Sequence, residues 1–303
     1  MVRTNRAGRG PRLSRSDVVF KLVNALILTV ICAVIIYPLM YVISASFSSP
    51  DAVSRGAVWL YPVEFSLEGY KAVFSNGEVW IGFLNSLFYM IVGTVLNVSI
   101  TLLAAYALAQ RGLPGGTAIM MIFTFTLLFS GGIIPLYLVV KATIGINNRL
   151  DLILPNALSV TNLIIARTYI RSTLPPELKE AAQMEGSGEF SYFLKIALPL
   201  SAPIIAVLTL LYALYHWNSF FFAFIFLHSK PLFPLQIVLR NILVANENAL
   251  SSFGDVRYLA RLAGMKDLLK FSLIVVTSVP MLALYPFLQR YFIKGILIGS
   301  IKG

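Results

Sequence analysis

Charge is what this chain has least of. Lys, Arg, Asp and Glu together make up 12% of its 303 residues, while hydrophobic residues make up 58%. With a mean hydropathy of +0.81, this composition excludes a soluble globular domain and defines an integral membrane protein. Cysteine is nearly absent: Cys32 stands alone inside an apolar run, so no intrachain disulfide can form and the redox compartment stays open. The two histidines, His216 and His228, are not spaced as metal ligands. No G-x-x-x-x-G-K-S/T loop occurs, which excludes P-loop ATP hydrolysis by this chain alone. The long apolar runs contain no Asp or Glu except Asp151, at the edge of one of them. A membrane-embedded enzyme needs converging carboxylates, histidines or a nucleophile, so that alternative is weak.

What is present is a set of apolar runs with basic flanks. The formal charge of +11 is spread along those flanks and forms no aromatic-interleaved basic surface, which argues for anionic lipid and topology rather than nucleic acid. Residues 1–20 carry Arg3, Arg6, Arg9, Arg12 and Arg15 among Gly, Pro and Ser, and read as a disordered cytoplasmic tail. Six spans follow, at about 22–47, 83–108, 118–140, 150–169, 201–227 and 269–287. The sequence Ser44-Ala45-Ser46 resembles a signal-peptidase site, but the run before it exceeds the ~7–15 apolar residues of a signal peptide, so the first span is retained. Residues 48–80, with Trp59 and Trp80, read as an external loop, as do residues 228–268, with Arg240, Arg257, Arg261 and Lys266. Residues 291–303 form a cytoplasmic tail. With both termini inside, fourteen of the 24 Lys and Arg lie on the inner side and six of those precede the first span, the asymmetry that sets orientation.

Polar and helix-breaking residues mark particular spans. In the third, Ser130-Gly131-Gly132 and Pro135 predict a kink or a close helix crossing. The fourth contains Pro155, Asn156, Thr161 and Asn162. The fifth is densest, with Tyr212, Tyr215, His216, Trp217, Asn218 and Ser219, and such groups turn toward a bundle interior or a wet cavity because lipid cannot satisfy them. His216 is either a packing histidine or a lining residue. Tyr212, Trp217 and Asn218 are the candidates for a transport path.

The most specific stretch is polar, residues 175–199. Pro175 and Pro176 open a short helix with Glu177 and Glu180 near its start. Gly186, Ser187 and Gly188 interrupt it, with Ser187 a candidate cap for a second helix. That helix shows Phe190, Phe193, Leu194 and Ala197 on one face and is expected to stop before Pro199. Within it Glu180, Ala181, Ala182, Gly186, Ile196, Leu198 and Pro199 reproduce E-A-A-x3-G-x9-I-x-L-P without a gap.

That spacing resembles the EAA loop of the permease subunits of ABC importers, with Glu185 and Ser187 standing where many members have Asp and Ala. The stretches 129–140 and 152–170, the Trp217-Asn218 pair and the ending 285–303 are similar to the carbohydrate branch, and most of all to its lipo-oligosaccharide, aldouronate and alginate sub-branch. The resemblance implies an all-α permease of six transmembrane helices with a cytoplasmic coupling hairpin, in a bacterial cytoplasmic membrane. It implies a second homologous permease, two ATPase subunits that bind ATP and Mg, an extracytoplasmic solute-binding protein and an oligosaccharide substrate, with no cofactor in this chain. Glu180 would meet a basic residue of the ATPase, Ala181 and Ala182 would permit close approach, and Gly186 would make the turn. A peptide or amino-acid importer would share this hairpin and is the alternative. The aromatic, amide-rich fifth span favours sugar, because ring faces stack on pyranoses and amides bind hydroxyls.

Overall fold

The structure, a computed structural model, describes residues 14–249, 264–284 and 286. The tail arginines Arg3 to Arg12, the external-loop residues Arg257 and Arg261, and the segment 287–303 lie outside the described residues. All regular structure among the described residues is helical. Contacts divide the chain into two compact units, Met1–Tyr70 with Gly254–Val275, and Lys71–Phe253 with Val276–Gly303.

In the first unit, α1 (Arg15–Ser46) starts inside the stretch expected to be a disordered tail. The Ser14 N–H donates to Asp17 Oδ2 at 3.1 Å, and this acidic cap starts the helix early. From Val18 to Leu39 its large apolar side chains are exposed on every side, as suits a helix in lipid. The short α2 (Pro50–Ser54) follows, with Pro50 at its first position and Ser49 Oγ accepting from the Ala52 N–H. Its Ala52 and Val53 join Ala45, Val58 and Leu268 in a small core. A Cβ on Gly264 would lie 2.1 Å from the Pro50 carbonyl oxygen, so that crossing requires glycine.

In the second unit, α3 (Glu68–Ser75) leads to α4 (Gly77–Ala109), 33 residues and roughly 50 Å long. Its sides are inverted relative to a soluble protein. Asn85, Ser86, Tyr89, Asn97 and Thr101 are buried, whereas Leu84, Ile91, Val95 and Leu103 are exposed. Lipid satisfies no hydrogen bond, so the polar side turns inward. Asn85 Nδ2 donates to the carbonyls of Pro231 at 2.7 Å and Phe233 at 3.1 Å, and Ser86 Oγ accepts from the Leu235 N–H at 2.9 Å.

The expected third span is α5 (Gly116–Leu128) and α6 (Ile133–Thr143), bent by 119°. The break falls on the predicted residues, and Gly132 supplies it with φ +81°. The expected fourth span is only partly helical: a 3-10 turn at Arg149–Leu152 precedes α7 (Val160–Thr173). After α8 (Pro176–Met184), α9 (Glu189–Leu200) joins α10 (Ala202–Trp217) at 78°. The expected fifth span breaks after Trp217, and α11 (Phe220–Phe226) continues it. Part of the expected external loop 228–268 is helical as α12 (Leu235–Ala249), and α13 (Gly264–Leu284) starts five residues before the predicted sixth span. Among the described residues three helices are long and apolar enough to cross a membrane, or five if each bent pair is one span.

The core of this unit is α4 packed on α7 and α10 through Leu102, Ala105, Leu163, Ala166 and Leu208. The closest approach is at Gly93, where a Cβ would lie 2.4 Å from His216 Nε2. Gly93→Val is therefore expected to destabilise the protein by about 1–3 kcal/mol through overpacking. Gly77→Ala, where a Cβ meets nothing within 4 Å, is the neutral control. Thermal unfolding of the detergent-purified protein checks this, and equal midpoints for both variants would contradict the close packing.

Candidate coupling hairpin and membrane cavity

The hairpin 175–199 is built from local rules. Pro176 takes the first position of α8, where no amide donor is needed. At the other end Gly186 has φ +81°, the Gly186 N–H donates to the Gln183 carbonyl and the Ser187 N–H to the Ala182 carbonyl, both at 2.9 Å. This double closure is the Schellman arrangement, and its left-handed position is the one glycine occupies without strain. A Cβ at Gly186 would meet nothing within 4 Å, so the requirement is for backbone conformation alone. Gly188, not Ser187, caps the second helix.

That second helix does not stop before Pro199. Phe193–Ala197 form a π turn, in which the Leu198 N–H donates to the Phe193 carbonyl five residues back, and the helix runs on through Pro199 to Leu200. Widening the turn relieves the clash between a proline ring and the carbonyl four residues earlier. The expected apolar side is divided: Phe193 and Ala197 are buried with Ala182 and Tyr192, while Phe190 and Leu194 are exposed. Ile196 and Leu198 are half-buried beside that cluster, and Pro199 is exposed. Glu180 and Ala181 point outward, with Leu178, Met184 at 89% exposure and Phe190 also exposed. Met184 was not singled out from sequence, because one methionine at a helix end carries no pattern.

Polar contacts fix the hairpin to the end of α4. Lys179 Nζ donates to Gln110 Oε1 at 2.9 Å and pairs with Glu189 Oε1 at 2.6 Å, and the Tyr106 hydroxyl donates to Glu189 Oε2 at 3.2 Å. Arg167 Nε donates to the Leu108 carbonyl at 2.8 Å, a cation at a helix C-terminus. The Lys179 hydrogen bond holds the Glu189 carboxyl below its ordinary range. A depressed carboxylate pKa adds stability above its unfolded value of 4.5, and that stability is lost as pH falls through the folded value. Glu189 is largely exposed, so the pair contributes no more than about 1 kcal/mol. Between α4, α7 and α8 lies a cavity of about 400 Å³, with Arg111, Arg171 and Glu180 among its walls.

Inside the apolar part of the unit, α10 carries a buried polar network. The Tyr212 hydroxyl is 2.7 Å from Thr101 Oγ1 and accepts from the Ser159 N–H at 3.1 Å. His216 is fully buried and is a packing residue, with its Nε2 3.1 Å from Asn97 Nδ2. The same Asn97 amide donates to the Asn156 carbonyl at 3.1 Å. Trp217 is buried against Phe83 and donates from Nε1 to the Thr277 carbonyl at 3.0 Å. Asn218 is exposed, and its amide donates to the Leu214 carbonyl of its own helix. Of the three sequence candidates Tyr212 lines a cavity of about 370 Å³, with Asn156, Ser159, Asn162 and Tyr215. Asn97 and Thr101, which organise this wall, carried no sequence signal beyond being polar inside an apolar run.

Apolar helices wrapped about a polar seam, with a polar hairpin projecting from their ends, define a multi-pass membrane transport subunit. No protein-family model matches the chain. Protein LplC of Bacillus subtilis (strain 168) is 38% identical over 285 residues, covering 94% of this chain and 95% of LplC. The polygalacturonan/rhamnogalacturonan transport system permease protein YtcP of the same strain is 35% identical over 268 residues, covering 88% of this chain and 93% of YtcP. A chain in the crystal structure of a bacterial ABC transporter involved in the import of the acidic polysaccharide alginate superposes with a TM-score of 0.83. It is 30% identical, and the match covers 93% of this chain and 100% of that one. The chain belongs to the carbohydrate ABC transporter permeases.

Forcing Val into the left-handed position at 186 costs about 1–2 kcal/mol. Gly186→Val should therefore speed amide exchange at Ser187 by about five- to thirtyfold, whereas Glu189→Gln should change it by less than about fivefold. Hydrogen exchange read by mass spectrometry on the membrane-extracted protein tests both, and an unaltered Ser187 amide in Gly186→Val would refute the capping account.

Proposed function

We propose that this chain is one permease of an oligosaccharide importer and transmits ATP-driven motion through its 175–199 hairpin. The observation that carries the reading is the exposed Glu180 set on a helix whose end is fixed by Gly186 and bordered by the exposed apolar Met184 and Phe190. An acidic group on the same hairpin as exposed large apolar side chains suits a protein interface better than water. The partners are a second homologous permease, two ATPase subunits that bind ATP and Mg, and an extracytoplasmic solute-binding protein. Closure of the ATPase pair moves the hairpin, and the helices rock because nucleotide and loaded binding protein favour different states.

In this reading the chain crosses a bacterial cytoplasmic membrane six times with both termini inside. The short α7, roughly 21 Å long, does not reach across a ~30 Å hydrocarbon core by itself. The segment 149–159 completes the crossing as irregular backbone, tolerated at membrane depth because Asp151, Leu152 and Ile153 are buried in protein. Substrate passes Tyr212, which lines the cavity beside α7. It is an acidic oligosaccharide of the uronate type, a reading supported by the alginate importer and the polygalacturonan permease among the similar proteins, and by the basic residues of the 228–268 segment.

Glu180→Ala is expected to reduce ATPase co-purification and sugar uptake together, by about 3–5 kcal/mol of interface energy if the ion pair is buried and about 0–1 if it is exposed. Membrane insertion should be unaffected, and Ser187→Cys should label with an impermeant thiol reagent only after cells are opened. Normal uptake by Glu180→Ala, or labelling of intact cells, would sink this reading. For the substrate, ATPase activity of the purified complex with its binding protein should rise with oligogalacturonate or oligoalginate. A response confined to neutral oligosaccharides would reject the uronate assignment.

A further inference from the structure

The cavity beside the hairpin collects cations that the protein itself leaves unpaired. It measures about 400 Å³ and lies between the ends of α4 and α7 and the start of α8, with Arg111, Arg171, Lys179, Glu180 and Gln183 among its walls. That volume falls within the range of small-molecule sites. The ion pairs among the described residues are Arg55–Glu64, Lys179–Glu189 and Lys230–Glu78. Lys179 is therefore neutralised, whereas Arg111, Arg171 and Glu180 belong to none of these pairs. Two guanidinium groups against one carboxylate leave the walls net positive.

The depth of the cavity follows from the chain. Arg111 stands in the turn 110–115, between the apolar α4, which ends at Ala109, and the apolar α5, which starts at Gly116 and has no buried residue. So short a turn between two lipid-embedded helices stays at the membrane surface. Arg167 Nε donates to the Leu108 carbonyl at 2.8 Å, so the end of α7 lies beside the end of α4, and Arg171 follows one helical turn later. Both arginines thus stand at head-group depth, where long cationic side chains reach lipid phosphates.

A phosphodiester fits what these walls offer. A guanidinium donates two parallel hydrogen bonds to phosphate oxygens, and a single negative charge matches the excess of cations. Glu180 opposes a second anionic group on the same ligand but accepts from a hydroxyl, and the Gln183 amide binds one as well. We propose that this cavity holds the head group of an anionic phospholipid of the phosphatidylglycerol type, with its phosphate against Arg111 and Arg171, and that the lipid ties the start of the 175–199 hairpin to the bilayer. Ile119, Ile122 and Phe125 of α5 are exposed and give acyl chains a surface. The site requires only the membrane depth of the 110–115 turn, and stands apart from the importer reading.

The test is lipid retention by the full-length, detergent-purified chain, read by native mass spectrometry as dioleoylphosphatidylglycerol is titrated in competition with dioleoylphosphatidylcholine. Phosphatidylglycerol should be retained in preference. Arg111 and Arg171 are exposed, so replacing them leaves the packing intact. Arg111→Gln and Arg171→Gln should each weaken retention about fivefold, and the two together about thirtyfold. Arg111→Lys combined with Arg171→Lys should fall between, because lysine keeps the charge and loses the paired hydrogen bonds. Lys141→Gln removes an exposed cation outside these walls and should change retention by less than about twofold. No preference for phosphatidylglycerol, or an equal loss in Lys141→Gln, would overturn the site. Phosphatidylglycerol should also slow hydrogen exchange in α8 of the wild type and not of the double Gln variant, and equal slowing in both would refute the tie to the hairpin. Millimolar inorganic phosphate should leave the lipid in place; displacement would make this a site for free phosphate and overturn the lipid assignment. Release of the lipid when the chain assembles with its ATPase would overturn it too, and give the cavity to a protein interface.

Discussion

The structure depends on the absence of water around its helices. A polar side chain on a lipid-facing surface finds no partner in lipid, so the amides and hydroxyls of an apolar helix either fold back onto a carbonyl of their own helix, as Ser99 does, or turn toward another segment. In α4 this gathers Asn85, Ser86, Asn97 and Thr101 on the inner side, and their partners are backbone carbonyls, amides and side chains of segments far away in sequence. The polar seam therefore does the work that an apolar core does in a soluble protein: it specifies which helices meet and in what register. Van der Waals packing completes it where small residues such as Gly93 let helices approach.

Once the seam is fixed, irregular backbone becomes tolerable. The breaks at Gly132, at 149–159 and at Asn218 interrupt helices that composition alone would run straight through the membrane. Each leaves carbonyls and amides that must be met inside the protein, and the Asn156 carbonyl, held by Asn97, is an instance. A cavity opens beside this break because residues 153–159 do not fill the space that a helical turn would occupy. Polar lining and helix interruption thus share one origin.

The hairpin follows a different logic. It lies outside the apolar helices, where local capping rules hold as they do in soluble proteins, and its conformation is set by Pro176 and the left-handed Gly186 within a dozen residues. Lys179 and Glu189 then join it to Gln110 and Tyr106 at the end of α4 through polar contacts.

The sequence by itself determined the membrane class, the hairpin with Gly186 at positive φ, and the break at Ser130 to Gly132, because each rests on composition or on conformational limits acting within a few residues. Tertiary structure decided the rest. Asn97 meets Asn156 and His216 across 59 and 119 positions, and no local pattern pairs them. Trp217 reads from sequence as a candidate for the path, yet in the fold it anchors to the Thr277 carbonyl, since an indole N–H is satisfied by whichever carbonyl the packing brings to it. Proline 199 was legible as a helix stop, but the π turn before it removed the clash on which that rule depends.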